Sequence, residues 1–520
     1  MNRIKNYFID NAWLISLVMA TLLFRLPGIF RPETIGDEGK AVAIIQKPWG
    51  QFIDQLIYLD AHPPLYFCFI KWWGTMSRDL WFLRMFSIML SVLTCIVLFK
   101  LTRRLFNKTA AIITAYLFTI SPQLVFVFQY LRPYALATFF FSVFLYLAVL
   151  FMHAGSFRKA AVLGICLGAI SFLLAYTFYL SVFILFAFAL VAVKILFKDK
   201  KKLWLFLSSQ ALALLLYVHW LPILQAQTRE LYAGTGGSNP LLHAERIGFY
   251  AGRLHVGNFC KLCAGLLQFE DIIGHSRRFS ERLPAFWLFF ITGAAILFCV
   301  YILAASMKHI SKNERYKNTG QLLLGTLMLS VFFISLKLVA GDYGIGFPVH
   351  MNMRYLCQLS IIVLIIMGVL LAALSRAKRT LILTGISLFY IAQVLYINSY
   401  PMNMYRAAFA FLKGKNVDTI IACPQSPSWI AYVDKEQEIE KRVNIIECRD
   451  EATEKNTLKR VSLLDEVCVY YLNKAENTIR FTGIYEDLLT ELHTMGFVEQ
   501  DAKNINDLIV LKYLVRRTRS

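Results

Sequence analysis

Residues 81–152 read WFLRMFSIMLSVLTCIVLFKLTRRLFNKTAAIITAYLFTISPQLVFVFQYLRPYALATFFFSVFLYLAVLFM, and the alternation in this stretch decides the fold. Apolar runs near 81–99, 109–128 and 134–152 each approach the roughly 20 residues that a helix needs to cross a hydrocarbon core. Lys100, Arg103, Arg104 and Lys108 crowd the first junction, whereas the second carries Arg132 as its single charge. By the positive-inside rule, the first junction stays in the cytoplasm and the second faces outward.

The same alternation extends both ways. Further apolar runs lie near 11–30, 160–178, 180–197, 203–223, 284–305, 320–340, 355–374 and 380–397, about eleven spans in all. The other basic clusters are Arg158/Lys159, Lys198/Lys200/Lys201/Lys202, Lys308/Lys312/Arg315/Lys317 and Arg376/Lys378/Arg379. Each follows an even-numbered span, and with Arg3 and Lys5 they belong to the cytoplasmic side. A hydrophobic content of 58%, a charged content of 17% and a mean hydropathy of +0.55 agree with a bilayer-embedded body. The net charge of +21 sits between apolar spans rather than on one soluble face, which argues against nucleic acid. The first span, basic at its start, resembles a secretory signal, but no small-x-small cleavage site follows and it reads as a retained helix.

Three outward segments are long: 31–80, 224–283 and everything after 398. The first is rich in Trp49, Tyr58, Pro63, Pro64, Tyr66, Trp72 and Trp73, which suits helices lying at the membrane interface. The second opens on Gly234, Gly236, Gly237, Ser238, Asn239 and Pro240, a turn-rich run that could serve as a lid. The tail is expected to hold a helix over 404–412, strands over 419–422, 443–446 and 467–472, a helix over 485–495 and a final strand over 508–515. The chain is thus expected to be an α-helical polytopic membrane protein, with a membrane domain over 1–398 and a small extracytoplasmic α/β domain over 399–520. Ten cysteines include the pair Cys260 and Cys263, for which a local disulfide or free thiols is the ordinary reading.

Chemistry-bearing residues gather in four outward clusters. Asp37 and Glu38 stand between Gly36 and Gly39 just beyond the first span, which ends in Phe24-Arg25-Leu26-Pro27. A carboxylate there can act as general base, although a solvated turn is the more ordinary reading of these residues alone. Asp60-Ala61-His62-Pro63-Pro64-Leu65-Tyr66 presents His62 ahead of two backbone-fixing prolines. Gln129-Tyr130-Leu131-Arg132-Pro133-Tyr134 and His350-Met351-Asn352-Met353-Arg354-Tyr355 complete the set. An isolated arginine at such a place commonly snorkels to the interface; four clusters on one face weaken that reading. Guanidinium forks suit phosphate oxygens, and access from lipid suits a phosphate on a long isoprenoid tail, so the reaction implied is group transfer from a lipid phosphate.

The runs FRLPGIFRPETIGDEGKA, DAHPPLYF, QYLRPYAL and MNMRYL resemble, in this order, the polyprenyl-phosphate-dependent glycosyltransferases of the GT-C fold. The likeness is to the bacterial members of family 39 and to their relatives, the protein O-mannosyltransferases and the lipid A aminoarabinose transferase. It covers the membrane region well and the tail poorly. It implies Asp37 and Glu38 as the catalytic acids, with Asp37 the base or the acceptor-orienting residue. It implies His62, Arg132, Arg354 and Arg25 near the donor phosphate, and Asp60, Tyr66, Gln129, Tyr134 and Tyr355 as acceptor or pocket residues. The expected reaction is inverting transfer from a polyprenyl-phosphate sugar to a glycan, lipid or protein acceptor. It requires no metal, although Asp37 and Glu38 could bind a divalent ion. Ile35 and Gly36 stand where the family usually has a tryptophan before the acidic pair, and Gln129 where many relatives have an acid; both leave the acceptor open. The long central loop is too short for the β-trefoil insertion of eukaryotic protein mannosyltransferases, which favours a bacterial inner membrane. A transporter or flippase of a polyprenyl-linked lipid is the alternative, but it would be expected to show paired internal halves, and none is evident.

Overall fold

A computed structural model of the protein describes residues 2–31, 37–60, 62–234, 314–342 and 353–399. In the C-terminal part it describes 411, 415, 419–423, 444–447, 464, 466–472, 488–505 and 509–516. The span expected near 284–305, the Cys260–Cys263 pair and nearly all of the helix expected over 404–412 lie outside the described residues. The chain divides into two compact units, residues 1–30 with 48–400, and 31–47 with 401–520.

The first unit is a helical bundle. Its helices are α1 (Asn2–Ile29), α3 (Phe52–Leu59), α4 (Leu65–Trp73), α5 (Leu80–Leu105), α6 (Lys108–Ile120), α7 (Pro122–Gln129), α8 (Tyr134–Met152) and α9 (Phe157–Ala175). They continue as α10 (Leu180–Leu196), α11 (Lys200–Tyr217), α12 (Leu221–Gly234), α13 (Glu314–Asp342), α14 (Cys357–Ala373) and α15 (Arg376–Ser399). Every expected span that falls on described residues is helical. Seven described helices are long and apolar enough to cross a membrane, or eight if the bent pair α6–α7 is counted as one span.

Local chemistry sets the ends of these helices. Asn107 accepts from the Ala110 amide at 2.9 Å and starts α6, and Asp199 accepts from the Lys202 amide at 3.2 Å and starts α11. The Lys202 ammonium donates to the last carbonyl of α8, Met152, at 3.0 Å, which places a cation at a helix C-terminus. Where helices meet closely, small residues allow it: a Cβ on Gly168 would stand 2.7 Å from the Ser209 carbonyl of α11. Large apolar side chains such as Trp204, Leu212, Leu381 and Leu388 are exposed, as lipid-facing residues are.

The expected span 109–128 is broken. Ser121 receives the Leu124 amide on its hydroxyl, Pro122 opens α7, and the two helices meet at 60°. Proline has no N–H, so the Phe118 carbonyl four residues earlier loses its helical donor. The Arg25 guanidinium supplies replacements, donating to Phe118 at 3.0 Å and to Thr119 at 3.1 Å while lying over the Phe118 and Phe128 rings.

In the second unit, α2 (Glu38–Gln46) follows Asp37, and a five-stranded sheet has the order β2-β1-β3-β5-β4. Its strands are β1 (Thr419–Cys423), β2 (Asn444–Glu447), β3 (Glu466–Leu472), β4 (Phe497–Ile505) and β5 (Ile509–Arg516). β1 is parallel to β2 and β3, while β5 is antiparallel to β3 and β4. Val467, Val469, Leu488, Leu492, Phe497 and Leu514 form the core. Gly496, at φ 88, lets the chain reverse between the helical residues 488–494 and β4. The sequence reading lacked β4, because FVEQDAKNI is polar and carries a bulge between Glu499 and Asp501; pairing with β5, rather than its own pattern, makes it a strand.

Candidate active site

Three of the four clusters meet at one end of the helical bundle. Asp60 closes α3, and His62 follows it before Pro63 and Pro64 start α4. Arg132 lies in the turn between α7 and α8, its amide donating to the Tyr130 carbonyl at 2.9 Å. Its Nη1 donates to Asp60 Oδ2, and Nη2 reaches Asp60 Oδ1 at 3.3 Å, a two-point pair between side chains only 3% and 1% exposed. His62 Nδ1 is 2.5 Å from Asp60 Oδ1, and the His62 amide also donates to that oxygen at 3.1 Å. So short a contact with a carboxylate requires the proton on Nδ1. Arg132 Nη2, 3.0 Å from the same nitrogen, is therefore a neighbour and not a donor to it.

Aromatic rings carry the cluster onward to the late helix. His62 stacks on Phe178 at 5.7 Å and meets the edge of Tyr134 at 5.7 Å. Tyr134 in turn contacts Tyr355 at 5.7 Å, and the Arg354 guanidinium lies over Tyr130 at 5.1 Å and Tyr134 at 5.9 Å. Arg354 sits in a single turn of 3₁₀ helix, Met353–Leu356, that leads into α14. Tyr66, in the first turn of α4, is fully buried against Phe67 and Phe86.

Burial by itself would raise the Asp60 pKa, but the Arg132 and His62 charges and hydrogen bonds outweigh it and hold the carboxyl well below the usual range. Asp60 thus balances Arg132, and the Arg354 guanidinium joins the group over the Tyr130 and Tyr134 rings.

Arg25 and Gln129 are engaged with backbone carbonyls. Arg25 holds the carbonyls at the α6–α7 break, as described above. Gln129 Nε2 donates to the Arg25 carbonyl at 2.9 Å, the Phe24 carbonyl at 3.3 Å and Asn398 Oδ1 at 3.0 Å, so it covers carbonyls near the end of α1. Gly28 makes room for it, since a Cβ there would overlap the Gln129 amide at 2.1 Å. In the second unit, Asp37 pairs with Lys40 at 3.3 Å with each side chain about one-third exposed, and Glu38 begins α2 and is buried. Among the described residues no group of three or more His, Cys, Asp or Glu side chains is arranged to hold a metal ion.

Sequence reasoning passed over Phe178, which stacks on His62, and Arg84, which is fully buried in α5 and donates to the Ile29 carbonyl at 3.2 Å. An arginine in the first turns of an apolar span was the available signal for the second.

The fold is that of the GT-C glycosyltransferases. Over 97% of this chain and 98% of the other, it superposes with a TM-score of 0.56 and 11% identity on ArnT from Cupriavidus metallidurans bound to undecaprenyl phosphate. It also superposes on the oligosaccharyltransferase AglB from Archaeoglobus fulgidus in complex with an inhibitory peptide and a dolichol-phosphate. That likeness has a TM-score of 0.53 and 12% identity over 89% of this chain and 69% of the other. Residues 61–222 match the sequence family described as dolichyl-phosphate-mannose-protein mannosyltransferase, and this segment carries His62, Arg132 and Tyr134. A search of curated protein sequences finds no match to the chain.

Proposed function

We propose that the chain is a membrane glycosyltransferase that moves a sugar from a polyprenyl-phosphate carrier to an acceptor. The transfer takes place on the extracytoplasmic side of a bacterial inner membrane and inverts the anomeric carbon. The observation that carries this reading is the meeting of Asp60, His62, Arg132, Tyr134 and Arg354, drawn from three separate segments, at one end of an apolar bundle. The family match over 61–222 and the fold shared with a protein bound to undecaprenyl phosphate support it.

In the proposed step an acceptor oxygen bonds to the anomeric carbon, the bond from that carbon to the phosphate oxygen breaks, and the acceptor proton passes to Asp37. Glu38 assists as the second acid. The departing lipid phosphate gains a negative charge, which Arg354, His62 and the Arg132 fork stabilise, so no acid catalyst is needed. Tyr66 and Tyr355 shape the pocket. The domain division read from the sequence, a membrane body and an extracytoplasmic tail, belongs to the same proposal.

The test is a labelled polyprenyl-phosphate sugar given to the purified protein in nanodiscs together with a cell-envelope extract as acceptor. Release of sugar-free polyprenyl phosphate is expected. A lipid that crosses the bilayer with its sugar bond intact would identify a flippase instead.

A further inference from the structure

A chain of four hydrogen bonds, all running in one sense, ends in two on the backbone carbonyls of Asp60 and His62. Trp220 Nε1, in the single 3₁₀ turn Val218–Trp220 between α11 and α12, donates to the Tyr179 hydroxyl at 2.9 Å. That hydroxyl donates to Gln227 Oε1 at 2.5 Å. Gln227 Nε2 then uses its two hydrogens on the carbonyls of Asp60, at 2.9 Å, and His62, at 3.1 Å. Gln227 is 1% exposed and lies on α12, which packs against α3. The amide can face only one way: turned over, its oxygen would oppose both carbonyls. Such a chain polarises along its length and is worth more than its links taken singly.

We propose that Gln227, backed by Tyr179 and Trp220, is a positioning residue that fixes the main chain of the Asp60–His62 segment so that the Asp60 carboxylate engages Arg132 and the His62 imidazole is turned to the donor phosphate. The donor half of this inference rests on the proposed function. The Asp60 amide on the Leu56 carbonyl and the His62 amide on Asp60 Oδ1 hold the segment locally; Gln227 adds a hold on both carbonyls from a second element, α12, which supports the imidazole orientation.

The experiment uses the full chain in nanodiscs as wild type, Gln227→Leu, Tyr179→Phe and the double variant. Two readouts are taken: the rate at which diethyl pyrocarbonate labels His62, with exposed His153 as internal control, and the Kd for undecaprenyl phosphate. In Gln227→Leu, His62 should label several-fold faster and the Kd should rise about tenfold, as when an outer-shell support is lost. His153 should be unchanged. Tyr179→Phe should give a smaller change of the same sign, and the double variant should be no worse than Gln227→Leu. If Gln227→Leu does not fold, Tyr179→Phe decides alone. Unchanged His62 labelling in every folded variant would overturn the positioning role. A wild-type protein that binds no undecaprenyl phosphate would overturn the donor half together with the proposed function, and the labelling result tells the two failures apart.

Discussion

Arg132 and Asp60, 72 residues apart in sequence, form a buried two-point ion pair in which each guanidinium Nη faces its own carboxylate oxygen. Removing one partner of such a pair leaves an uncompensated charge in a low-dielectric site. Arg132→Met should therefore cost about 3–5 kcal/mol, read from detergent melting curves. Replacing both partners by apolar residues should cost clearly less than the two single changes summed, whereas strict additivity would mean that the two side chains are not coupled.

The pH dependence of this pair has a definite sign. The folded-state pKa of Asp60 is depressed, so the stabilisation is complete above the unfolded value, about pH 4, and is lost as pH falls through the lower folded value. The melting difference between wild type and Asp60→Asn, which cannot titrate there, should thus stay flat from about pH 5 to 8 and shrink only below about pH 4. A difference that fades near neutrality would contradict it.

Asp37→Asn should abolish most transfer, by about 10²–10⁴-fold, while leaving the Kd for undecaprenyl phosphate unchanged. The side chain is one-third exposed and its partner Lys40 is equally solvated, so the melting temperature should barely move. Full activity in this variant would remove Asp37 from the reaction.

Arg354→Ala should act on the donor instead, raising its KM about tenfold, the equivalent of one charge-assisted contact. An effect on kcat alone, with donor KM intact, would contradict a phosphate-binding role.

Arg25 and Pro122 should be coupled. Arg25→Leu leaves the Phe118 and Thr119 carbonyls without their donors and should cost on the order of 2–4 kcal/mol. Pro122→Ala restores an amide able to serve Phe118, so adding it to Arg25→Leu should recover part of that loss in melting experiments.

The spans were legible because apolar length and basic junctions are properties of contiguous sequence. The clusters were legible because each is a short run holding charged or polar residues in a segment between apolar spans. What could not be read is which runs touch. Nothing near Asp60 announces Arg132, and Gln227 has no motif around it, since its partners are carbonyls that every residue carries. Arg25 was expected near the donor phosphate, and its hold on the Phe118 and Thr119 carbonyls was not legible, because an arginine at a span's end has the same appearance whether it faces a ligand or a broken helix. β4 stayed hidden because its neighbour, not its composition, makes it a strand.

The bend at Ser121 sets a leverage on the site. α7 is eight residues long, roughly 12 Å at 1.5 Å per residue, and it departs from the α6 axis by 60°. Were the elbow to straighten, the far end of α7 would swing by about the same 12 Å and carry the Arg132 turn with it. The ion pair with Asp60 ties the end of that arm to the end of α3, so substitutions that alter the elbow, although they touch no charged group, should be read as mutations of the site itself.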